Sequence, residues 1–430
     1  MQGKALPGFR DFYPDDLALR NHIFATWRSV ATRYGFEEYD GPPLEPLELY
    51  TQKSGGEIVA QLYAFRDKGD REVALRPEMT PTLARMVGAH AQSLKKPIRW
   101  FSIPQLFRYE RQQRGRLREH FQLNMDLIGE PGPLADAELI AAAIDASRAF
   151  GFGPQDVQVR ISDRQVLRTL LLGNGVGEEQ LPAAYSAIDK SEREPHGSLA
   201  QKLSTAGLGP PAIAAVFAIA ALKGIESVDA SLGSVPGGPE AGECVRECYR
   251  ALGAMGLGEF VQVDLTIVRG LAYYTGIVFE LFDTGGNRRA ICGGGRYDGL
   301  LKALGGVDLP ALGFGMGDVV LGEMLKARGA TQASHARRLD AFLVAVSGED
   351  IVPVLRLAHE LRDQGLAVEY GLRLQAIRKQ LELAVARGAP RAVIIGPDER
   401  KDGHGVVRDL LGGVEERVPL AQLSTVLRVG

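Results

Sequence analysis

The feature that most constrains this fold is an arginine-rich loop between two stretches with the pattern of strands. The stretch before the loop runs from Ile98 to Ile103. The stretch after it, Phe121 to Ile128, alternates apolar and polar residues with a period of two. The pattern predicts a β-hairpin whose mouth carries five arginines: Arg108, Arg111, Arg114, Arg116 and Arg118. Because a guanidinium binds phosphate oxygens two at a time and stays charged, this hairpin is suited to hold a polyanion.

A run of charges more often forms a solvated surface than a binding site. Two residues of the second strand, Gln122 and Asp126, weigh against that interpretation here. They are four residues apart, so both side chains face the same side of the strand. An aspartate among Leu, Met and Ile costs free energy unless it binds something. The sequence therefore predicts a polar pocket on this face.

Composition restricts the class of protein. The chain has 430 residues, enough for two or three domains, with 45% hydrophobic and 24% charged residues and a net charge of -3. A nucleic-acid partner would therefore be bound by local basic patches. Three cysteines without metal-ligand spacing favour buried thiols in a reducing cytoplasm. No apolar signal region begins the chain, and no stretch reaches about 18 apolar residues, so we expect a cytoplasmic protein.

The order of predicted elements indicates an α/β (α+β) protein with several parts. We expect residues 1–152 and 256–328 to form one core, and residues 153–255 to form a mostly helical insertion. The polar segment 329–335 is predicted to be a linker. Residues 336–430 alternate strands and helices, which predicts a small α/β domain with a mixed sheet.

Two further segments place polar groups at strand or helix ends. Glu78 and Thr80 lie at a turn before a helix, where their oxygens could accept from an ammonium group. Helix capping by the same residues is the simpler explanation of that segment taken alone. Arg269 follows an apolar strand and precedes Tyr273 and Tyr274, so it could neutralise charge at a fixed point. An edge hairpin with packed tyrosines remains the alternative.

Two glycine-rich segments are weaker signals. Gly293 to Gly295 would let backbone approach a ligand closely, although a simple turn would also use them. Residues 313 to 317 alternate glycine with larger residues, which leaves a flat face for a planar ring. Close packing of sheet against helix explains this second pattern about as well. Asp318 is expected to be the N-cap of the following helix.

Taken together, these segments resemble the histidyl-tRNA synthetase family of class II aminoacyl-tRNA synthetases. The stretches that carry the resemblance are Leu6 to Phe12, Pro42 in the first class motif, Phe107 to Ile128 in the second, Arg269 to Leu271 with Tyr273 and Tyr274, and Gly294 to Asp298. The resemblance implies an antiparallel-sheet catalytic core with a helical insertion. It also implies that residues 336–430 are a C-terminal α/β anticodon-binding domain.

The resemblance also implies an activity. Such an enzyme activates histidine with ATP to histidyl-adenylate and pyrophosphate, then transfers histidine to the 3′ end of tRNA(His). It implies a homodimer through the Pro42 segment. Magnesium would bridge the outer phosphates, with no protein motif that fixes it.

Individual residues take roles from the same resemblance. Catalysis and ATP binding fall to Arg108 at the α-phosphate, Glu110 at the adenine, Arg116 at the outer phosphates and Arg269 between the histidine carboxylate and the α-phosphate. The histidine pocket comprises Glu78 and Thr80 for the ammonium group, and Gln122, Asp126, Tyr274 and Tyr297. Arg111 and Gln113 would contact the tRNA acceptor end.

The chain departs from the family pattern at two positions that matter. Val320 occupies the place of the third-motif arginine that grips the γ-phosphate, and Ala272 replaces an aspartate beside Arg269. The first departure would also suit the regulatory subunit of ATP phosphoribosyltransferase, a synthetase-like protein that binds histidine without ligating it. A non-catalytic tRNA-binding paralogue is a further alternative. The complete arginine hairpin, Arg269 and the C-terminal domain favour the enzyme.

Overall fold

The computed structural model describes residues 3, 5–51, 59–110, 117–268, 274–285, 290–329 and 339–428. The chain divides into two compact units, Met1–Ser334 and His335–Gly430. The boundary lies inside the segment predicted to be a linker. Both the core and the helical segment predicted as an insertion belong to the first unit.

The first unit is built on a large sheet that is mostly antiparallel, as the resemblance implied. The strands described in this unit are β1 (Glu37–Glu38), β2 (Leu44–Pro46), β3 (Tyr63–Arg66), β4 (Glu72–Leu75), β5 (Ile98–Ser102), β6 (Gln105–Phe107), β7 (Glu119–Ile128), β8 (Val157–Asp163), β9 (Val261–Val263), β10 (Ile277–Asp283), β11 (Ala290–Arg296) and β12 (Ala311–Gly317). In the described residues the large sheet has the order β1-β5-β7-β12-β11-β10-β8-β9, with β6 also paired to β7. A smaller sheet has the order β2-β4-β3.

The predicted hairpin is present around β7. Both β5 and β6 pair with β7 in antiparallel register, with Phe101 opposite Met125 and Phe107 opposite Glu119. Alternate side chains of β7 face two different environments, an apolar core and a polar face. Leu123, Met125 and Leu127 enter the hydrophobic core, whereas Gln122 and Asp126 lie on the opposite face.

Helices cover the apolar face of this sheet. Those that pack there are Pro14–Arg33, Pro133–Arg148 and Asp318–Ala327. The other helices described in the core are Glu48–Thr51, Thr80–His90 and Leu300–Gly305, of which the last two form a separate buried cluster with Ile98, Ile128 and Tyr297. Helix Pro14–Arg33 buries Trp27 completely together with Ile23 and Val30. Full burial of each such side chain stabilises the fold by about 1.5–3 kcal/mol. Helix Pro133–Arg148 is mostly buried because alanines let it pack closely.

The segment 153–255, predicted to be a helical insertion, is mostly helical from Arg164 onward, whereas its residues Val157–Asp163 form strand β8 of the large sheet. Its described helices are Arg164–Gly173, Leu181–Lys190, His196–Thr205, Pro210–Ala220, Ile225–Leu232, Gly238–Ala241 and Glu243–Ala254. The first of these begins where the Asp163 carboxylate accepts from the backbone N–H groups of Gln165 and Val166, at 2.7 and 3.1 Å. This is an N-cap, which supplies acceptors to the first turn of the helix.

The second unit is a small α/β domain with a mixed sheet, as the sequence predicted. Its strands are β13 (Ala341–Ala345), β14 (Val368–Tyr370), β15 (Arg391–Ile395), β16 (His404–Asp409) and β17 (Glu415–Pro419), in the order β14-β13-β15-β16-β17. Its helices are Ile351–Asp363, Ile377–Ala386, Pro397–Asp402 and Leu423–Arg428. Strands β16 and β17 were not predicted, because β17 in particular is largely exposed and charged. Among all described helices, none has the length and apolar character that crossing a membrane requires.

Candidate active site

The polar face of β7 lies across the glycines of β12. Asp126 pairs in register with Gly313, and Gln122 pairs with Gly317. A Cβ atom on Gly313 would overlap the Asp126 carboxylate, and one on Gly315 would overlap the Gln122 amide. The alternating glycines therefore make room for these two polar side chains. The two earlier explanations, a flat face for a ring and simple sheet–helix packing, both missed this contact.

The carboxylate of Asp126 is the centre of a buried polar pair. It is 4% exposed, and the hydroxyl of Tyr297 donates a hydrogen bond to its Oδ1 atom. Burial raises the pKa of Asp126 to about 7, and the bond from Tyr297 opposes that rise. A carboxyl group whose pKa is shifted this far by burial, beside a cavity, is a candidate functional group.

The neighbouring Arg296 holds Tyr297 in place. Its guanidinium is 7% exposed and donates to Asp136 Oδ2 at 3.2 Å through Nε and to the Glu130 carbonyl at 3.0 Å. Burial raises the pKa of Asp136 to about 6, against the effect of its bond from Arg296. This pair ties the end of β11 to the start of helix Pro133–Arg148.

Residues 293–295 lie inside strand β11 rather than in the turn that was the alternative interpretation. A Cβ atom on Gly294 would overlap the backbone of Gly313 and Phe314, and one on Gly295 would overlap the Ile277 carbonyl and come within 3.0 Å of the Tyr274 ring. The glycines thus allow β12 and Tyr274 to approach. Tyr274 and Tyr297 both pack against one buried cluster, which places these two predicted pocket residues together.

A cavity of about 310 Å³ adjoins this pocket. Its lining includes Arg108 and Glu110 from the end of the hairpin strand, and Gln122 from β7. Val320 lines the same cavity. Arg108 and Glu110, the two predicted ATP-binding residues that the structure describes, thus lie together on this cavity. Helix Asp318–Ala327 therefore presents the aliphatic side chain of Val320 to this cavity.

Two side chains of the cavity lining with titratable imidazole or carboxyl groups were not identified from the sequence: His120 and Glu280. Burial, reinforced by the charges of Arg108 and Arg10, lowers the pKa of His120 to about 3, so its imidazole is neutral at physiological pH. The alternation that selected Gln122 and Asp126 places His120 on the same face. That signal could have found it.

Arg10 joins the N-terminal segment to strand β7 and to the start of helix Asp318–Ala327. Its guanidinium donates to Glu119 Oε1 at 2.7 Å and to Asp318 Oδ2 at 2.9 Å. Asp318 Oδ1 also accepts from the backbone N–H of Phe121 at 2.9 Å. Helix Asp318–Ala327 follows Gly317 as its N-cap, so the prediction that Asp318 caps this helix was wrong. Its carboxylate binds other parts of the chain instead.

The turn predicted to bind an ammonium group lies next to Arg108. Arg108 Nε donates to the Pro77 carbonyl at 2.9 Å, and Glu78 is 7% exposed. The helix begins at Thr80 itself, Met79 is its N-cap, and no side chain caps it in the described structure. Capping by Thr80 therefore does not explain why this residue stands there.

Several predicted residues lie outside the described part of the chain. They are Arg111, Gln113, Arg114, Arg116, Arg269, Ala272 and Tyr273. Val268, which directly precedes Arg269, is buried at 4% exposure.

Comparison with known proteins gives a consistent result. A family model described as histidyl-tRNA synthetase matches residues 8–317, and an anticodon-binding domain model matches residues 340–429. The chain is 47% identical to a histidine–tRNA ligase of Opitutus terrae over 430 residues, covering 99% of this chain and 98% of the relative.

Solved structures show the same fold. The crystal structure of a histidyl-tRNA synthetase from a Nostoc species has a TM-score of 0.84 at 24% identity, covering 100% of this chain and 99% of that one. A Bacillus halodurans structure described as an ATP phosphoribosyltransferase regulatory subunit/histidyl-tRNA synthetase has a TM-score of 0.76 at 21% identity, covering 92% and 99%. At these identities the likeness concerns the fold alone.

Proposed function

The chain belongs to the histidyl-tRNA synthetase family, and from this premise we propose that its pocket and cavity carry out the activation of histidine by ATP. The enzyme class is that of its full-length relatives, histidine–tRNA ligase, an aminoacyl-tRNA ligase. One observation carries the proposal for the site. The buried Asp126–Tyr297 pair lies on the same strand face as Gln122, which lines the cavity with Arg108.

Histidine would be recognised through its imidazole. Asp126 accepts from an imidazole N–H, while Tyr297 fixes the orientation of its carboxylate. An amino acid of similar shape without this N–H would leave the buried carboxyl unpaired. Sites built in this way reject such analogues strongly. Gln122 and Tyr274 would complete the pocket, and Glu78 and Thr80 would accept from the ammonium group.

Activation joins a carboxylate to the α-phosphate, so two anions must approach each other. The barrier is largely electrostatic and positional, and fixed positive charge lowers it. Arg108 lines the cavity and its Nε is held by the Pro77 carbonyl. We assign it to the α-phosphate, with Arg269 as the second cation, Arg116 at the outer phosphates and Glu110 at the adenine.

Magnesium fits the donor chemistry of the cavity. Glu110 and Glu280 both line it, and Mg²⁺ in nucleotide sites is usually bound by one or two carboxylates together with substrate phosphates. Within the described residues no group of three or more His, Cys, Asp or Glu side chains forms a ready metal site. The ion would therefore arrive with ATP and neutralise charge on the outer phosphates, with Glu280 as a candidate protein ligand because Glu110 is assigned to the adenine.

The second step and the assembly follow from the same family. The domain at 340–429 would bind the anticodon of tRNA(His), while Arg111 and Gln113 would contact the acceptor end. The Pro42 segment would form the interface of a homodimer, which light scattering would detect. The location we propose is the cytoplasm.

The regulatory-subunit alternative is less well supported. The Bacillus halodurans likeness is one of fold and does not distinguish the two activities. Sequence relatives that cover 97 to 99% of the chain are named ligases, and the C-terminal domain matches an anticodon-binding model.

Histidine-dependent exchange of pyrophosphate into ATP tests the proposed activity. The purified chain should catalyse exchange with histidine and not with phenylalanine, which lacks the imidazole N–H. A chain that binds histidine and shows no exchange would instead be a histidine sensor. Omission of Mg²⁺ should stop exchange and be reversed by adding the ion.

A further inference from the structure

Arg76 directly follows strand β4, and its guanidinium is almost completely buried at 4% exposure. Nε donates to the Gln105 carbonyl at 3.0 Å. Nη1 donates to Asp40 Oδ1 and to the Gly41 carbonyl, both at 2.7 Å. One side chain therefore connects the segment after β1 to the strand that leads into Arg108.

The backbone around Arg76 makes the same connections. The Arg76 N–H donates to the Pro43 carbonyl at 2.9 Å, and the Arg76 carbonyl accepts from Phe107 N–H at 3.0 Å. One residue further along each segment, Arg108 Nε donates to the Pro77 carbonyl at 2.9 Å. The 76–77 dipeptide is thus held on one side by residues 40–43 and on the other by residues 105–108.

This junction adjoins the polar pocket. Tyr39 has a buried hydroxyl, and burial raises its pKa well above the ordinary value, with the charge of Asp126 raising it further and that of Arg76 lowering it. Tyr39 also packs on Trp100, with ring centroids 5.3 Å apart, and Trp100 pairs in register with Asp126, so the Arg76 junction lies near the carboxylate that centres the pocket. On the other side of Arg76 the chain continues through Pro77 to Glu78 and Thr80.

A buried guanidinium is a poor choice for stability alone. Taking its charge out of water is costly, and a well-packed apolar side chain often stabilises a fold as much or more. Its only carboxylate contact in the described structure is Asp40, whose side chain is 66% exposed. What a guanidinium offers is several donors in a rigid plane, which can fix three segments at defined angles.

We propose that Arg76 is a positioning residue for the amino-acid site: it holds the 77–80 turn against the Arg108 strand, so that the ammonium acceptors and the α-phosphate ligand keep a fixed separation. The inference rests on the proposed function, because that function assigns Glu78 and Thr80 to the ammonium group. Arg76 itself touches neither substrate.

The test compares two ligands that differ only in the ammonium group. Histidine and 3-(imidazol-4-yl)propionate, its des-amino analogue, are titrated into the full chain by calorimetry. Arg76→Met should weaken histidine about tenfold or more, the effect of one misplaced hydrogen bond to a charged group, and should change analogue affinity by less than about twofold. Arg76→Lys should give an intermediate loss, because it keeps the charge without the fork.

A matched control comes from the helix that follows the turn. Arg85 pairs with the buried Glu45 carboxylate at 2.7 Å. Arg85→Met should therefore alter thermal stability and leave both affinities unchanged. If Arg76→Met does not fold, Asp40→Ala removes only the exposed acceptor of Arg76 Nη1, and it should weaken histidine while sparing the analogue.

The possible outcomes distinguish a failure of the positioning role of Arg76 from a failure of the proposed function. Equal weakening of both ligands, or no weakening of histidine in the variant that folds, overturns the positioning role. A wild-type chain that binds the analogue and histidine equally well would also overturn it, because no ammonium site would exist to position. A wild-type chain that binds neither ligand would contradict the proposed function itself.

Discussion

The hydroxyl of Tyr297 donates a hydrogen bond to the carboxylate of Asp126 across strand β12, which lies between β11 and β7. Both groups are buried, at 2% and 4% exposure. The phenol donates to one oxygen of the acid, and in the proposed function the other oxygen accepts from the ligand. The pair therefore links a residue of the arginine hairpin strand to the glycine-rich segment far along the chain.

Replacing Tyr297 by Phe should weaken histidine binding. The variant leaves the Asp126 carboxyl without its donor, so its pKa should rise above about 7 and its orientation should be lost. We expect a loss of about 1.5–3 kcal/mol, the range for a hydrogen bond to a charged group. Calorimetric titration with histidine measures it. Tyr34→Phe, which removes a 2.8 Å phenol bond to Asp145, is the control and should bind histidine normally.

The free energy of unfolding of the ligand-free protein should depend on pH through the ionisation of Asp126. Its folded pKa of about 7 lies above the ordinary value of about 3.9, so the folded state binds the proton more tightly. This contribution is fully present below about pH 3.9 and is lost as the pH rises through about 7.

Urea unfolding of the wild type and of Asp126→Asn at a series of pH values isolates the effect. Between these limits the stability of the wild type relative to the variant should fall by up to about 1.4 kcal/mol per pH unit. His120 titrates in both proteins. Because its pKa is lowered, His120 makes stability change with pH in the opposite direction, but this effect is common to both proteins and cancels in the difference. Parallel curves for the two proteins would mean that Asp126 ionises normally.

Arg269→Ala should abolish adenylate formation while histidine binding is partly kept. The charge of this arginine is needed most when negative charge shifts onto the α-phosphate. The loss should fall mainly on kcat, on the order of 2.7–4 kcal/mol if it resembles the removal of an oxyanion donor. Pyrophosphate exchange measures it, and near-normal exchange would remove Arg269 from the mechanism.

Val320→Arg tests how the cavity manages without the third-motif arginine. Val320 and Arg108 line one cavity, so a second guanidinium there adds repulsion and a desolvation cost. We expect little gain or a loss in ATP affinity, measured as the KM for ATP in exchange, with Val320→Leu as the control for bulk. A gain of about 1.5–3 kcal/mol would instead indicate an empty position in a decayed synthetase.

Deleting residues 336–430 should reduce tRNA charging much more than adenylate formation. These residues form nearly all of a separate compact unit, and the described active-site residues all lie in the other unit. The lost domain would supply remote binding that raises the effective concentration of the acceptor end. Normal charging by a truncated chain with a native circular dichroism spectrum would show that the domain does not bind the anticodon.

Much of this site could be predicted because it depends on local pattern. The alternation along Phe121 to Ile128 places Gln122 and Asp126 on one face whatever the sheet order, since the side-chain period of a strand is two. Alternating strands and helices likewise predicted the mixed sheet of the second unit. These features could be predicted because each depends on residues that are close together in the chain.

Other features were decided only when distant segments met. Tyr297 and Asp126 are 171 positions apart, and they meet because β12 aligns β11 with β7. Arg10 contacts Asp318 over an even longer separation. The same strand order explains Gly313 and Gly315 of β12. The side chains of Asp126 and Gln122 occupy the space that a Cβ atom at these positions would need. The sequence by itself determined which residues are polar and which way each strand faces. The tertiary structure decided their partners, because strand order and register are set by packing of the whole sheet.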